Sequence, residues 1–200
     1  MHGGAGIVIP AYAPSRSAPM LSRPNLFILA LALLAAIAGG WVQHARRLAR
    51  VPAGVHVADV GDLRPDVALV DLNGHERRLS GYQGKRLLLN FWATWCGPCR
   101  EEMPRLNAAQ RKFADQGVII LGIAMDEPGA VRAYLAEHPA SYPNLLGQLD
   151  SPSTTLRFGD LDGILPFNVL LDENGKILAM KRGRLKPGQL ERWLSPTSTP

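Results

Sequence analysis

Residues 90–104 read Asn90-Phe-Trp-Ala-Thr-Trp-Cys-Gly-Pro-Cys-Arg-Glu-Glu-Met-Pro104. The apolar run Arg86-Leu-Leu-Leu-Asn-Phe91 leads into this stretch and reads as a buried strand. Residues 97–115 follow as a helix, with Pro98 in its first turn and Gly117 after its end. Two cysteines three apart therefore stand where a strand turns into a helix. Cys96 falls at the helix start, where unpaired amides and the helix dipole stabilise a thiolate. The thiolate is the attacking species, so lowering its pKa toward ambient pH raises reactivity. Cys99, one turn in, is less exposed and is placed to attack a mixed disulfide and release it. Gly97 permits close approach, and Pro98 leaves no unsatisfied amide. A structural disulfide is one alternative, although so small a ring restrains the unfolded chain little. A metal site is another, but its partners would be His2, His44, His56, His75 or His138, none near the motif in sequence.

Working outward, Val67–Val70 and Arg77–Leu79 flank Asn73-Gly74 and read as a hairpin. Val118–Ala124 is a second buried strand, and Ala130–Glu137 is a helix that closes before Pro139. Ser153–Phe158 reads as a short helix. Phe167–Leu171 and Lys176–Met180 form strands around Asp172-Glu-Asn-Gly175, and Gln189–Leu194 is a last short helix. The order is a hairpin, β-α-β-α, then β-β-α. Strand–helix–strand units favour parallel pairing and the late hairpin adds antiparallel strands. An α/β fold with a mixed central sheet and helices on both faces is expected.

The stretch 90–104 resembles the thioredoxin superfamily, and specifically the TlpA/ResA-like membrane-tethered or exported thiol–disulfide reductases. The early hairpin, Met125-Asp126-Glu127, Tyr142-Pro143 and Gly163-Ile-Leu-Pro-Phe167 also fit that family. The resemblance covers about residues 58–195 and implies a thioredoxin-like fold with an extra N-terminal β-hairpin. It makes Cys96 the nucleophile and Cys99 the resolving thiol, with their disulfide as the redox centre and no cofactor or metal. It makes Pro166 the family's cis-proline. The backbone of Leu165 would then pair with a client chain beside Trp95, Gly97 and Pro98. Trp95 is expected to be exposed and Trp92 to lie in the core. Cytoplasmic thioredoxins place a buried Asp at the position of Asn90, which cannot ionise. The tethered reductases have a Glu where Glu102 stands, a turn from Cys99. Glu102 is either a partly desolvated proton acceptor for Cys99 or a solvated charge beside Glu101.

The N-terminal part carries a different message. Residues 1–25 are rich in Gly, Ala, Pro and Ser and read as disordered. Leu26–Val42 is free of charge over 17 residues, a helical length of roughly 25 Å. It reads as a membrane anchor or a signal-peptide core, with Ala36-Ile-Ala38 matching the small-x-small pattern before a cut. A start at Met20 would give a short charged leader before that run. Residues 43–57 read as a linker, the polar stretch on to residue 65 as an entry strand, and 196–200 as a tail. Arginines on both sides leave the orientation undecided. Five of the 22 basic residues lie in residues 1–53 with no acidic residue, leaving 17 basic against 17 acidic in the rest. The balance argues against nucleic acid as a partner. The run Lys181-Arg-Gly-Arg-Leu-Lys186 reads as a solvated strand end.

The function expected is reduction of protein disulfides on the periplasmic side of a bacterial inner membrane, or in the periplasm after cleavage. A membrane thiol carrier would supply electrons. The clients implied by the resemblance are an apocytochrome c, hence a place in cytochrome c biogenesis, a copper-handling protein, or a damaged periplasmic protein. A thiol oxidase or isomerase on the same fold is the alternative. A peroxidase would need a Thr and a Pro where Ala93 and Leu89 stand. A copper-binding module would need C-x-x-x-C and a late histidine, and none follows His138.

Overall fold

Alternation along Arg86–Trp92 organises the core. Leu87, Leu89 and Phe91 point to one side of a sheet, and Leu88, Asn90 and Trp92 to the other. All seven residues are buried, as expected for a strand with neighbours on both edges and layers on both faces. A computed structural model describes residues 23–48 and 51–195. In chain order the elements are α1 (Arg23–Leu48), β1 (Ala68–Asp71), β2 (Glu76–Arg78), β3 (Arg86–Trp92), α2 (Gly97–Phe113), β4 (Val118–Ala124), α3 (Pro128–Glu137), β5 (Asn144–Leu146), α4 (Thr154–Arg157), β6 (Phe167–Leu171), β7 (Ile177–Arg182) and α5 (Pro187–Leu194).

The seven strands form one mixed sheet in the order β2-β1-β5-β4-β3-β6-β7. β3 pairs parallel with β4, and β4 with β5, through the crossovers α2 and α3. The other neighbours are antiparallel. The hairpin β1–β2 joins the sheet edge at β5. Its turn is held by Asp71, whose Oδ1 accepts the amides of Asn73 and His75 at 2.9 Å each. Oδ2 accepts Arg77 Nε at 3.0 Å.

Helices cover the two faces unequally. One face carries α2 and α5, whose Leu106, Phe113, Leu190 and Trp193 pack on Leu88, Ile120 and Leu170. α3 joins them through Val131 against Trp92 and Met103. The opposite face carries the single turn α4, with Phe158 directly after it in ring contact with Phe91, and Ala58, Leu69 and Leu79 from the N-terminal side. Gly122 of β4 is required by close packing. A Cβ there would overlap the Asn144 side chain, whose Oδ1 accepts the Trp92 indole N–H at 3.0 Å.

Four sequence boundaries shift. Residues 23–25, expected to be disordered, and 43–48, expected to be linker, are helical. Pro24–Ala45 is 22 residues long and exposed throughout, long and apolar enough to cross a membrane at about 33 Å. A signal sequence has the same character. Among the described residues of the polar segment after it, no strand precedes β1, and Leu63 makes an isolated β-bridge with Lys176. Strand β5 was not foreseen, because three residues carry too little periodicity to read. The expected disorder of residues 1–22, a start at Met20 and the tail 196–200 lie outside the described residues.

Candidate active site

The site is built at the carboxyl end of β3. Beyond Trp92 the chain turns through Ala93 and Thr94, and Asp126 at the end of β4 holds that turn. Its Oδ2 accepts both the Thr94 amide and the Thr94 hydroxyl. Cys96 is the N-cap of α2, with Pro98 in the first turn. Cys96 and Cys99 are joined by a disulfide with their Cα atoms 5.3 Å apart. The Cys99 amide donates to Cys96 Sγ at 3.2 Å. The helix-start donor expected to stabilise negative charge on that sulfur is therefore in place. Both cysteines are buried, and Ala93, Met103 and Val131 pack around them. Trp95 stands out at 68% exposed, whereas Trp92 is fully buried. The two tryptophans thus differ in the way the sequence suggested.

The chain brings a second loop to this end of the sheet. Leu165–Pro166 is a cis peptide immediately before β6, and Leu165 packs against the cluster that holds the disulfide. Gly97 and Pro98 stand between the two cysteines in the chain, and Ile164, next to Leu165, is exposed.

Glu102 is not a solvated charge. It is 1% exposed, whereas its neighbour Glu101 lies outside and pairs with Arg184. Glu102 Oε1 accepts the Leu185 backbone amide at 2.6 Å, and Oε2 accepts Asn90 Nδ2 at 3.4 Å. Asn90 also donates to Asn168 Oδ1 at 2.9 Å, directly across the β3–β6 pairing. Burial raises the Glu102 pKa. The Leu185 amide, the Asn168 side chain and the charges of Arg105 and Arg184 oppose that rise. A buried carboxyl group with a raised pKa stands one helical turn along α2 from Cys99.

Other polar residues gather here without a motif of their own. Asn168 interrupts an otherwise apolar strand, as Asn90 does in β3, and a polar residue at a core position is the signal that was there to use. Asp160 and Arg182 form a pair at 3.2 Å across the loop before Pro166. The basic run 181–186 is the exposed end of β7 that the sequence suggested, with Lys181, Arg182, Arg184 and Lys186 reaching solvent, but it also makes contacts that its sequence does not announce. Arg182 and Arg184 are paired, Leu185 is buried, and its amide binds Glu102. Among the described residues, no three His, Cys, Asp or Glu side chains gather in a way that would hold a metal. The positions where a peroxidase needs Thr and Pro are occupied by buried Ala93 and Leu89.

This sheet order, with a Cys-Gly-Pro-Cys disulfide at the first crossover helix and a cis-proline loop against it, defines a thioredoxin-like thiol–disulfide oxidoreductase. The family described as AhpC/TSA matches residues 60–182, and the chain belongs to it. Among its relatives is the thiol-disulfide oxidoreductase ResA of Geobacillus kaustophilus, 37% identical over 136 residues, covering 68% of this chain and 76% of that one. The thioredoxin-like protein YneN of Bacillus subtilis is 32% identical over 137 residues, covering 67% and 78%. The crystal structure of a putative thiol:disulfide interchange protein DsbE from Chlorobium tepidum is similar at a TM-score of 0.58 and 32% identity. That likeness covers 66% of this chain and 91% of the other.

Proposed function

We propose that this protein reduces protein disulfides outside the cytoplasm, delivered or held there by its N-terminal apolar helix. In the reduced enzyme the Cys96 thiolate attacks one sulfur of a client disulfide. The client S–S bond breaks, its other sulfur leaves as a thiolate and takes a proton, and a mixed disulfide forms at Cys96. Glu102 accepts the Cys99 proton. The Cys99 thiolate then attacks Cys96 Sγ, releases the second client thiol and restores the Cys96–Cys99 disulfide. Two electrons pass from the pair to the client, and a membrane thiol carrier returns them. No further cofactor enters this scheme. Leu165 and Pro166 offer backbone to the client strand, and Trp95 covers the approach.

The observation that carries this reading is the disulfide itself, with Cys96 Sγ at the helix start and accepting the Cys99 amide. A periplasmic address on a bacterial inner membrane agrees with the exposed apolar helix 24–45. The clients we favour are an apocytochrome c or a copper-handling protein, whose metal- or haem-binding thiols must be reduced before loading.

Trapping tests the reading. A Cys99→Ala variant should hold its client as a mixed disulfide through Cys96, and the captured protein names the pathway. Capture by Cys96→Ala alone would reverse the two roles. The reduction potential tests the direction. A value near the −270 mV scale of thioredoxin supports a reductase, whereas about −120 mV would make the protein an oxidant.

A further inference from the structure

The loop Gly159–Pro166 contains a buried charge that thiol exchange does not use. The Asp160 side chain is wholly shielded from solvent. Its Oδ1 accepts Arg182 Nε at 3.2 Å, and the backbone amides of Ile164 and Asp162, inside the same loop, also face the carboxylate. Burying a carboxylate costs desolvation, and an apolar side chain of similar size would pack more cheaply. What the pair supplies in return is geometry. The guanidinium of Arg182 also donates from Nη2 to the Gly159 carbonyl at 2.6 Å. Arg182 lies opposite Phe167 in the β6–β7 register, and its guanidinium sits over the Phe167 ring at 5.7 Å. The next amide, Gly183 N–H, donates to the Pro166 carbonyl at 2.7 Å. Residues 182 and 183 therefore grip both ends of the loop, Gly159 and Asp160 at its start and Pro166 and Phe167 at its finish.

We infer that Asp160 and Arg182 are positioning residues that fix the Leu165–Pro166 backbone for pairing with an extended polypeptide client. They touch neither cysteine. Their contribution is specific to substrates that bring a backbone to the loop, and is absent for small thiols that reach only the sulfur. This inference rests on the thiol-exchange reading of the site, whatever the direction of electron flow.

The test uses exchange in the direction that does not depend on that flow. The full-length oxidised protein, in detergent, is reduced either by an extended peptide dithiol or by dithiothreitol, and the two rate constants are compared. Either thiol attacks the Cys96–Cys99 disulfide, and its two electrons convert the pair to two thiols as the reductant closes its own disulfide. Arg182→Met should slow the peptide reaction by about tenfold, the scale of one lost charge-assisted hydrogen bond, with the loss in KM. Its dithiothreitol rate and its reduction potential should stay at the parent values. Arg182→Lys keeps the charge beside Asp160 but not the fork that also reaches Gly159. It should fall between parent and Met variant, and it serves if the Met variant fails to fold. Equal losses with both reductants would make the pair a support of general stability only, and an unchanged peptide rate would remove it from client binding; either result overturns the inference. The potential reports separately on the reductase reading, so a failure there leaves this comparison intact.

Discussion

At the scale of single residues, Glu102 is where burial and chemistry meet. Its carboxyl group sits under the Leu185 amide with Asn90 behind it, and desolvation raises its pKa from the ordinary 4.5. The folded protein thus keeps this proton at pH values where the unfolded chain has lost it. The associated stability is complete below 4.5 and is lost as pH rises through the folded-state value. Glu102→Gln keeps an oxygen for the Leu185 amide and removes the titration. The oxidised variant should resist urea better than the parent in mild alkali and match it in mild acid. If Glu102 takes the Cys99 proton, the same variant slows resolution of the mixed disulfide by about a hundredfold near neutral pH. It also flattens the pH profile of that step, and an unchanged profile would remove Glu102 from the mechanism. The cysteines and the proline were legible because motif and position coincide. Whether Glu102 faced solvent was not legible, because helical spacing fixes its direction on α2 but not what covers it. Its cover is the 183–185 loop, more than 80 residues away in sequence.

At the scale of elements, the two edges of the site differ in how far the chain announced them. β3, α2 and β4 follow from apolar runs and capping, and their bounds lie within a few residues of expectation. The cis-proline loop and β5 depend on tertiary partners, so no local pattern reveals how they are held. The hairpin β1–β2 lies between these cases. Asn73-Gly74 marks its turn, but Asp71 holds it. The His75 amide, with Arg77 and Asn73, brings the Asp71 pKa from 3.8 to about 2. Its folded value is depressed, so the stability it provides is present above 3.8 and is lost as pH falls through about 2. Asp71→Ala should lower Tm at neutral pH and make the acid limb of the Tm profile shallower. Equal Tm shifts at neutral pH and at strongly acid pH would show that the carboxylate charge is not what holds the turn.

At the scale of the whole molecule, the excess positive charge lies in residues 1–53 and the redox domain is formally neutral. The domain therefore offers no net charge for long-range attraction of a client. The proposed membrane role of Pro24–Ala45 has its own test. Leu34→Arg places a charge near the helix centre at a cost of about 2.5–3.5 kcal/mol for insertion. The variant should move from the membrane pellet to the alkaline-carbonate supernatant, and an unchanged pellet fraction would argue against insertion. The four tryptophans are spread in a way that serves observation. Trp92 and Trp193 are buried in the domain, Trp41 is exposed on the apolar helix, and Trp95 is exposed beside the disulfide. Two fixed emitters in the core and one mobile-environment emitter at each functional end make the chain its own optical instrument. A blue shift assigned to Trp41 would time insertion into lipid, and a change in quenching at Trp95 would time each turnover of the sulfur pair, without any label attached.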